Sequence, residues 1–277
     1  MTDLSALLDH ADTNLDASLE RLFALLRIPS ISTDPAYKPE CRKAAEWLTT
    51  RLIELGFEAS VRDTAGHPMV VAHHAGATAD APHVLFYGHY DVQPVDPIDL
   101  WTRDPFDPSI AEIAGGRKVI TGRGSSDDKG QLMTFVEACA AYKAVTGSLP
   151  VKVTILFEGE EESGSPSLKP FLDAHAAELK ADYALVCDTG MWDGETPAIA
   201  ATLRGLVGEE FVVTAADRDL HSGMFGGAAA NPIHIVADIC AGLHDETGRV
   251  TLDGFYEGVE ETPSNIKDSW AKLGRDA

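Results

Sequence analysis

The segment VKVTILFEGEEESGSPSLKPFLDAHAAELKADYALVCD, residues 151–188, sets the architecture of the chain. Val151 to Phe157 is short, largely apolar and rich in β-branched residues, which predicts a strand buried on both faces. Tyr183 to Cys187 repeats that pattern. Between them Ser167 to Leu179 places its apolar residues at helical spacing, so the unit reads strand, helix, strand, the connection that joins parallel strands. Both strands run into acids: Glu160, Glu161 and Glu162 follow the first, and Asp188 follows the second.

The same pattern extends upstream. Val84 to Tyr87 is a third buried-strand run and leads into His89 and Asp91. Leu15 to Leu26 is helical in spacing until Pro29 stops it, and a second helix from about Glu40 to Leu55 buries Ala44, Trp47, Leu48 and Leu52, with Gly56 at its cap. Glu58 to Arg62 and Met69 to His73 read as strands, Ser109 to Thr121 as a hairpin around Ala114-Gly115-Gly116, and Lys129 to Ala144 as a helix. Residues 1–200 are therefore expected to form an α/β domain, a doubly wound and mostly parallel sheet covered on both faces. The character shifts after about Ala198. Glu210 to Thr214 alternates like a strand, a Gly-rich turn follows, Asn231-Pro232 opens an amphipathic helix to about Leu243, and the segment from Thr262 is polar and helix-like. Residues 201–277 are expected to be part of a smaller α+β domain.

Composition narrows the function. The 277 residues are 44% hydrophobic and 24% charged, which excludes disorder and coiled coil. Twenty-two Lys+Arg against 44 Asp+Glu give a net charge of −22, which repels phosphate backbones and anionic lipid, so neither nucleic acid nor a membrane is an expected partner. Cys41, Cys139, Cys187 and Cys240 form no CxxC pair, so neither a zinc ribbon nor a disulfide framework is indicated. The N-terminus is acidic and unlike a secretion signal. A cytoplasmic location is the expectation.

In open α/β sheets ligands bind off the carboxyl ends of the strands, so His89 with Asp91, Glu160 to Glu162, and Asp188 should converge on one crevice. Asp127 and Asp128, just before the helix at Lys129, add further acids. Carboxylates that close cannot all stay ionised without cations, and one imidazole among several carboxylates suits Zn²⁺, with Mn²⁺ or Co²⁺ feasible. Taken singly, the run 158–162 reads as a solvated loop and His89 as an ordinary strand-end histidine. GRGSSDDKG lacks the order of a phosphate loop. The conjunction of these groups on successive strands carries the metal reading.

GHYDVQP at 88–94, Trp101 with DPF at 104–106, GRGSSDDKG at 122–130, EGEEESGS at 158–165, Cys187-Asp188 and HSGMFGG at 221–227 together resemble the co-catalytic dinuclear zinc peptidases. That family includes carnosine dipeptidase, aminoacylase, carboxypeptidase G and succinyl-diaminopimelate desuccinylase, and the DVQP, DDKG and EESGS versions resemble its dipeptidase branch. The resemblance implies a zinc-exopeptidase fold with a lid and dimerisation domain, two Zn²⁺ per site, and hydrolysis of dipeptides or small peptides by a metal-bridging water. An N-acyl amino acid deacylase on the same scaffold, or an inactive truncated relative, is the alternative. By the same resemblance His89, Asp127, Glu162 and Asp188 would be metal ligands, with Asp127 bridging. Asp91 would orient His89, Glu161 would be the general base, and His221 would stabilise the oxyanion, often across a homodimer. The Asp127–Asp128 peptide would be cis. Similar enzymes continue well past this length and take the second metal's histidine from that later part, whereas His175, His234 and His244 fall on helix surfaces here. The expectation is that these residues alone hold one metal tightly and the second weakly, with little peptidase activity.

Overall fold

The computed structural model describes residues 4–200 and 203–273. The chain divides into two compact units, Met1–Ala201 and Thr202–Ala277. The first contains α1 (Leu4–Thr13), α2 (Leu15–Leu26), α3 (Lys38–Glu54), β1 (Glu58–Arg62), β2 (Met69–His74), β3 (His83–His89), β4 (Ser109–Glu112), β5 (Lys118–Thr121), α4 (Lys129–Thr146), β6 (Lys152–Glu158), α5 (Leu168–Leu179) and β7 (Tyr183–Val186). The second contains α6 (Ser222–Phe225), α7 (Pro232–Gly242) and α8 (Ser264–Lys272).

The main sheet of the first unit has the order β1-β2-β6-β3-β7, and β4 pairs with β5 as a separate hairpin. β6, β3 and β7 are mutually parallel, while β2 is antiparallel to both β6 and β1. Only β2 is therefore reversed, and the sheet is mostly parallel.

Period-two alternation splits the strands between two cores. Val70 and Ala72 of β2, Phe86 of β3, and Ile155 and Phe157 of β6 face the helices α2, α3 and α4. Met69, Val71 and Leu156 face Phe171 and Leu179 of α5. Phe86 stacks on Phe135 of α4, with ring centroids 3.9 Å apart. Helices on both faces make this a doubly wound sheet. α3 stops because Gly56 takes a left-handed backbone with φ +84°, letting its amide reach Ile53 O and that of Phe57 reach Leu52 O, the paired closure that glycine permits. The same path delivers the chain into β1.

In the second unit Asn231 caps α7 by accepting from Ile233 N at 3.0 Å, and Pro232 stands at the first helical position. The strand expected at Glu210–Thr214 is not formed. No strand pairs with it among the described residues, Val212 is 81% exposed, and an unpaired strand has nowhere to place its backbone hydrogen bonds. No helix among the described residues is long and apolar enough to cross a membrane.

Candidate metal centre

His89 is the last residue of β3 and is fully buried. A side chain on the preceding Gly88 would run into Asp128 and Leu132, so the glycine lets the strand end lie flat against the start of α4. His89 N donates to Asp128 Oδ2 at 2.9 Å, which ties strand end to helix start. The imidazole is held between two sets of oxygens. Its Nδ1 lies 3.1 Å from Asp91 O and 3.3 Å from Asp91 Oδ1. Its Nε2 faces Asp127 Oδ1 at 3.0 Å, Asp188 Oδ2 at 3.5 Å and Glu161 Oε2 at 4.0 Å.

Asp91 does two jobs. Besides orienting His89, its buried carboxylate accepts from Glu161 N at 3.3 Å and Glu162 N at 3.1 Å, so one side chain fixes both the ring and the 3₁₀ turn Glu161–Ser163 that follows β6. The turn sends its two glutamates apart: Glu161 toward His89, Glu162 to Gln93, whose Nε2 donates to Glu162 Oε2 at 2.6 Å. Ligand-capable atoms of His89, Glu161 and Asp188 lie within 4.8 Å of one another. The Asp127–Asp128 peptide is cis.

The electrostatics are those of crowded, half-dry acid. Burial alone lowers the affinity of His89 for a proton, but the Asp91 hydrogen bond and the charges of Asp91, Asp128 and Asp127 outweigh it and lift the imidazolium to about 10. Burial pushes Asp128 up to about 7. It also raises Glu161 and Glu162, and neighbouring acids add to both. Among the described residues no Lys or Arg forms an ion pair with these carboxylates. Lys129, fully buried and pushed down to about 7 by desolvation, turns away and donates to Leu25 O at 3.2 Å and Ile28 O at 2.7 Å.

Glu158 and Gln93 escape sequence reasoning, and Asp128 is legible there only as a further acid. Asp128 grips the His89 backbone and keeps one buried oxygen without a partner. Glu158, paired with His89 across β6 and β3, accepts from Tyr87 Oη at 2.5 Å and Ser165 Oγ at 2.9 Å. Gln93 holds Glu162. The run 158–162 gave the only signal for Glu158, and nothing in it separates an inward glutamate from a solvated one. His221 lies in the second unit, where it caps α6 and its Nδ1 accepts from Gly223 N at 3.0 Å.

One imidazole, several carboxylates, an orphaned acid oxygen and, among the described residues, no Lys or Arg paired with them form a donor set that fits divalent transition metals. An α/β sheet that gathers such a set at its carboxyl edge defines a class of metal-holding proteins. Within that class residues 85–277 match the model of peptidase family M20/M25/M40, and the chain belongs to that family. It is 30% identical over 291 residues to the Cys-Gly metallodipeptidase of Schizosaccharomyces pombe, an alignment covering 96% of this chain and 60% of that protein. Among solved structures, a dipeptidase from Saccharomyces cerevisiae superposes with a TM-score of 0.72 at 26% identity, covering 96% of this chain and 58% of that one. A metallo-carboxypeptidase from Sulfolobus solfataricus superposes with a TM-score of 0.71 at 32% identity, covering 94% and 57%. The chain thus spans about 60% of the length of the dipeptidase relative.

Proposed function

We propose that this chain carries metal ligands of a dipeptidase that hydrolyses the amide bond of dipeptides or small peptides with two Zn²⁺ ions, Mn²⁺ or Co²⁺ being able to replace them. The observation that carries the reading is the ring of Asp127, Asp188 and Glu161 oxygens around His89 Nε2, and the dipeptidase relatives support the substrate class. His89, Asp127, Glu162 and Asp188 would hold the metals. Such ions bring a water's pKa toward neutrality and polarise the scissile carbonyl.

Glu161 takes the attacking water's proton and returns it to the leaving amine. Its raised affinity for protons suits that exchange. Asp91 keeps the His89 ring in place from behind. His221 would steady the developing oxyanion, in a homodimer built through residues 201–277, within a cytoplasmic protein.

The trio His89, Glu161 and Asp188 favours a second reading, in which Glu161 is itself a ligand and Glu162, held by Gln93, is the base. An N-acyl amino acid deacylase is the competing activity. The test is hydrolysis of a dipeptide panel against N-acetyl and N-succinyl amino acids, with metal counted by elemental analysis of protein purified without chelator. Whatever dipeptide turnover the protein shows is expected to track its metal content, weak where the second metal is weakly held. Preferential cleavage of the acylated substrates would overturn the dipeptidase assignment, and metal-free protein of full activity would overturn the mechanism.

A further inference from the structure

We infer that Glu160 is a positioning residue for this centre and that Gly66 is the seat it requires, an inference that rests on the metal reading above. Glu160 is only 5% exposed, and among the described residues no Lys or Arg pairs with it. A buried carboxylate without a cation is costly unless every oxygen finds donors. Both do: Oε1 accepts from His67 N and Oε2 from Ser167 N, each at 3.1 Å. The main chain of the same residue closes the neighbouring turn, its carbonyl accepting from Ser163 N at 3.1 Å, Ser165 N at 2.7 Å and Ser163 Oγ at 3.2 Å. The Glu160 carboxylate therefore ties the start of this turn to residues 67 and 167, while Asp91 holds the amides of Glu161 and Glu162.

The far end of the anchor is equally defined. Residues 64–68 form the turn between β1 and β2, where Thr64 Oγ1 donates to His67 O at 2.7 Å and accepts from Gly66 N at 3.1 Å. Tyr90 Oη donates to Pro68 O at 2.6 Å. The turn is braced before Glu160 reaches it. A β-carbon on Gly66 would overlap the Glu160 carboxylate, and Gly66 does not use the left-handed backbone that only glycine tolerates well. Alanine at 66 is thus compatible with the main chain, and its effect is to evict Glu160.

This predicts a specific pattern of coupling. Gly66→Ala and Glu160→Ala should each weaken Zn²⁺ binding by the same ~10- to 100-fold expected for loss of a group supporting a metal's ligands. The double variant should be no worse than either single one. Glu160→Gln keeps the shape but turns one acceptor into a donor facing a backbone N–H, so an intermediate loss is expected. Affinity is read on the whole 277-residue chain by competition for Zn²⁺ with a chromogenic chelator, alongside amide hydrogen exchange of residues 161–165, which should accelerate in all the variants. Losses that add in the double variant would overturn the pairing of Gly66 with Glu160. Wild-type Zn²⁺ affinity in Glu160→Ala with a lowered melting temperature would reduce Glu160 to a structural anchor and overturn the positioning role. A parent chain that binds no Zn²⁺ removes the metal reading and this inference with it; a parent that binds it beside unaffected variants removes this inference alone.

Discussion

Glu161 and Glu162 are adjacent in sequence and part in space, because each backbone amide is pinned to a different oxygen of Asp91. Their substitution by glutamine separates base from ligand. On the proposed assignment Glu161→Gln retains metal and loses ~10²- to 10⁴-fold in turnover, since the amide keeps the shape but cannot accept the water's proton. Glu162→Gln releases metal more readily at similar folding stability. Elemental analysis paired with dipeptide turnover checks both, and exchanged phenotypes would assign the ligand role to Glu161 instead. That His89, Asp127 and Asp188 lie together is legible because each stands where an apolar strand ends or a helix begins. Glu160 and Asp128 are legible as acids near the site but not as buried anchors, since a carboxylate in an acidic run looks the same whether it turns into the protein or out of it. Only the approach of the 64–68 turn and of the β3 end decides.

At the scale of elements, α5 is fastened to the sheet by a charged knot. Glu178 takes two hydrogen bonds from Arg62 of β1, at 2.7 and 2.5 Å, and lies 3.0 Å from His73 Nε2 and 3.1 Å from His175 Nδ1. The Arg62 hydrogen bond, with burial opposing it, holds the Glu178 carboxyl down from about 4.5 to about 2. A carboxyl depressed on folding adds stability that is complete above its unfolded pKa and fades as pH falls through the folded one. The stability gap between parent and Glu178→Gln, measured by urea unfolding, should therefore be constant above about pH 4.5 and close between there and about pH 2. Within the core, Phe86→Ala removes the stack on Phe135 and should cost ~3–5 kcal/mol by the same measurement. Most strands and helices were readable from periodicity, and β7 and α5 were read nearly to their ends. The insertion of β6 between β2 and β3 was not, because strands buried on both faces carry no mark of their neighbours. The segment 210–214 alternates as a strand should and still forms none, since alternation specifies a face and not a partner.

At the scale of the whole molecule, the proposed ligands His89, Asp127, Glu162 and Asp188 all lie in the first unit. Zn²⁺ at a hundredfold over its dissociation constant should therefore stabilise that unit by ~2.7 kcal/mol, visible in calorimetry as an upward shift of one transition. Between β7 and α6 the described residues form no helix or strand, and Arg204 is exposed there. Brief trypsin treatment should cut first at Arg204 and leave a fragment of the first unit that still takes up Zn²⁺. Cutting first within residues 84–188, or loss of metal with the cut, would contradict that division of labour.

The central place of β6 also bears on how the chain is made. β2 and β3 precede it in sequence and flank it in the sheet, so β2 has only β1 beside it, and β3 has no neighbour at all, until residue 158 leaves the ribosome. At roughly 5–20 residues per second of synthesis that leaves two hydrophobic strand edges open for several seconds. His89 and Asp127 emerge during that interval, Glu161 and Asp188 only after it. The nascent chain therefore depends on whatever shields those edges in the meantime, and it does not present all of the proposed ligands to a metal until after its last central strand has closed the sheet.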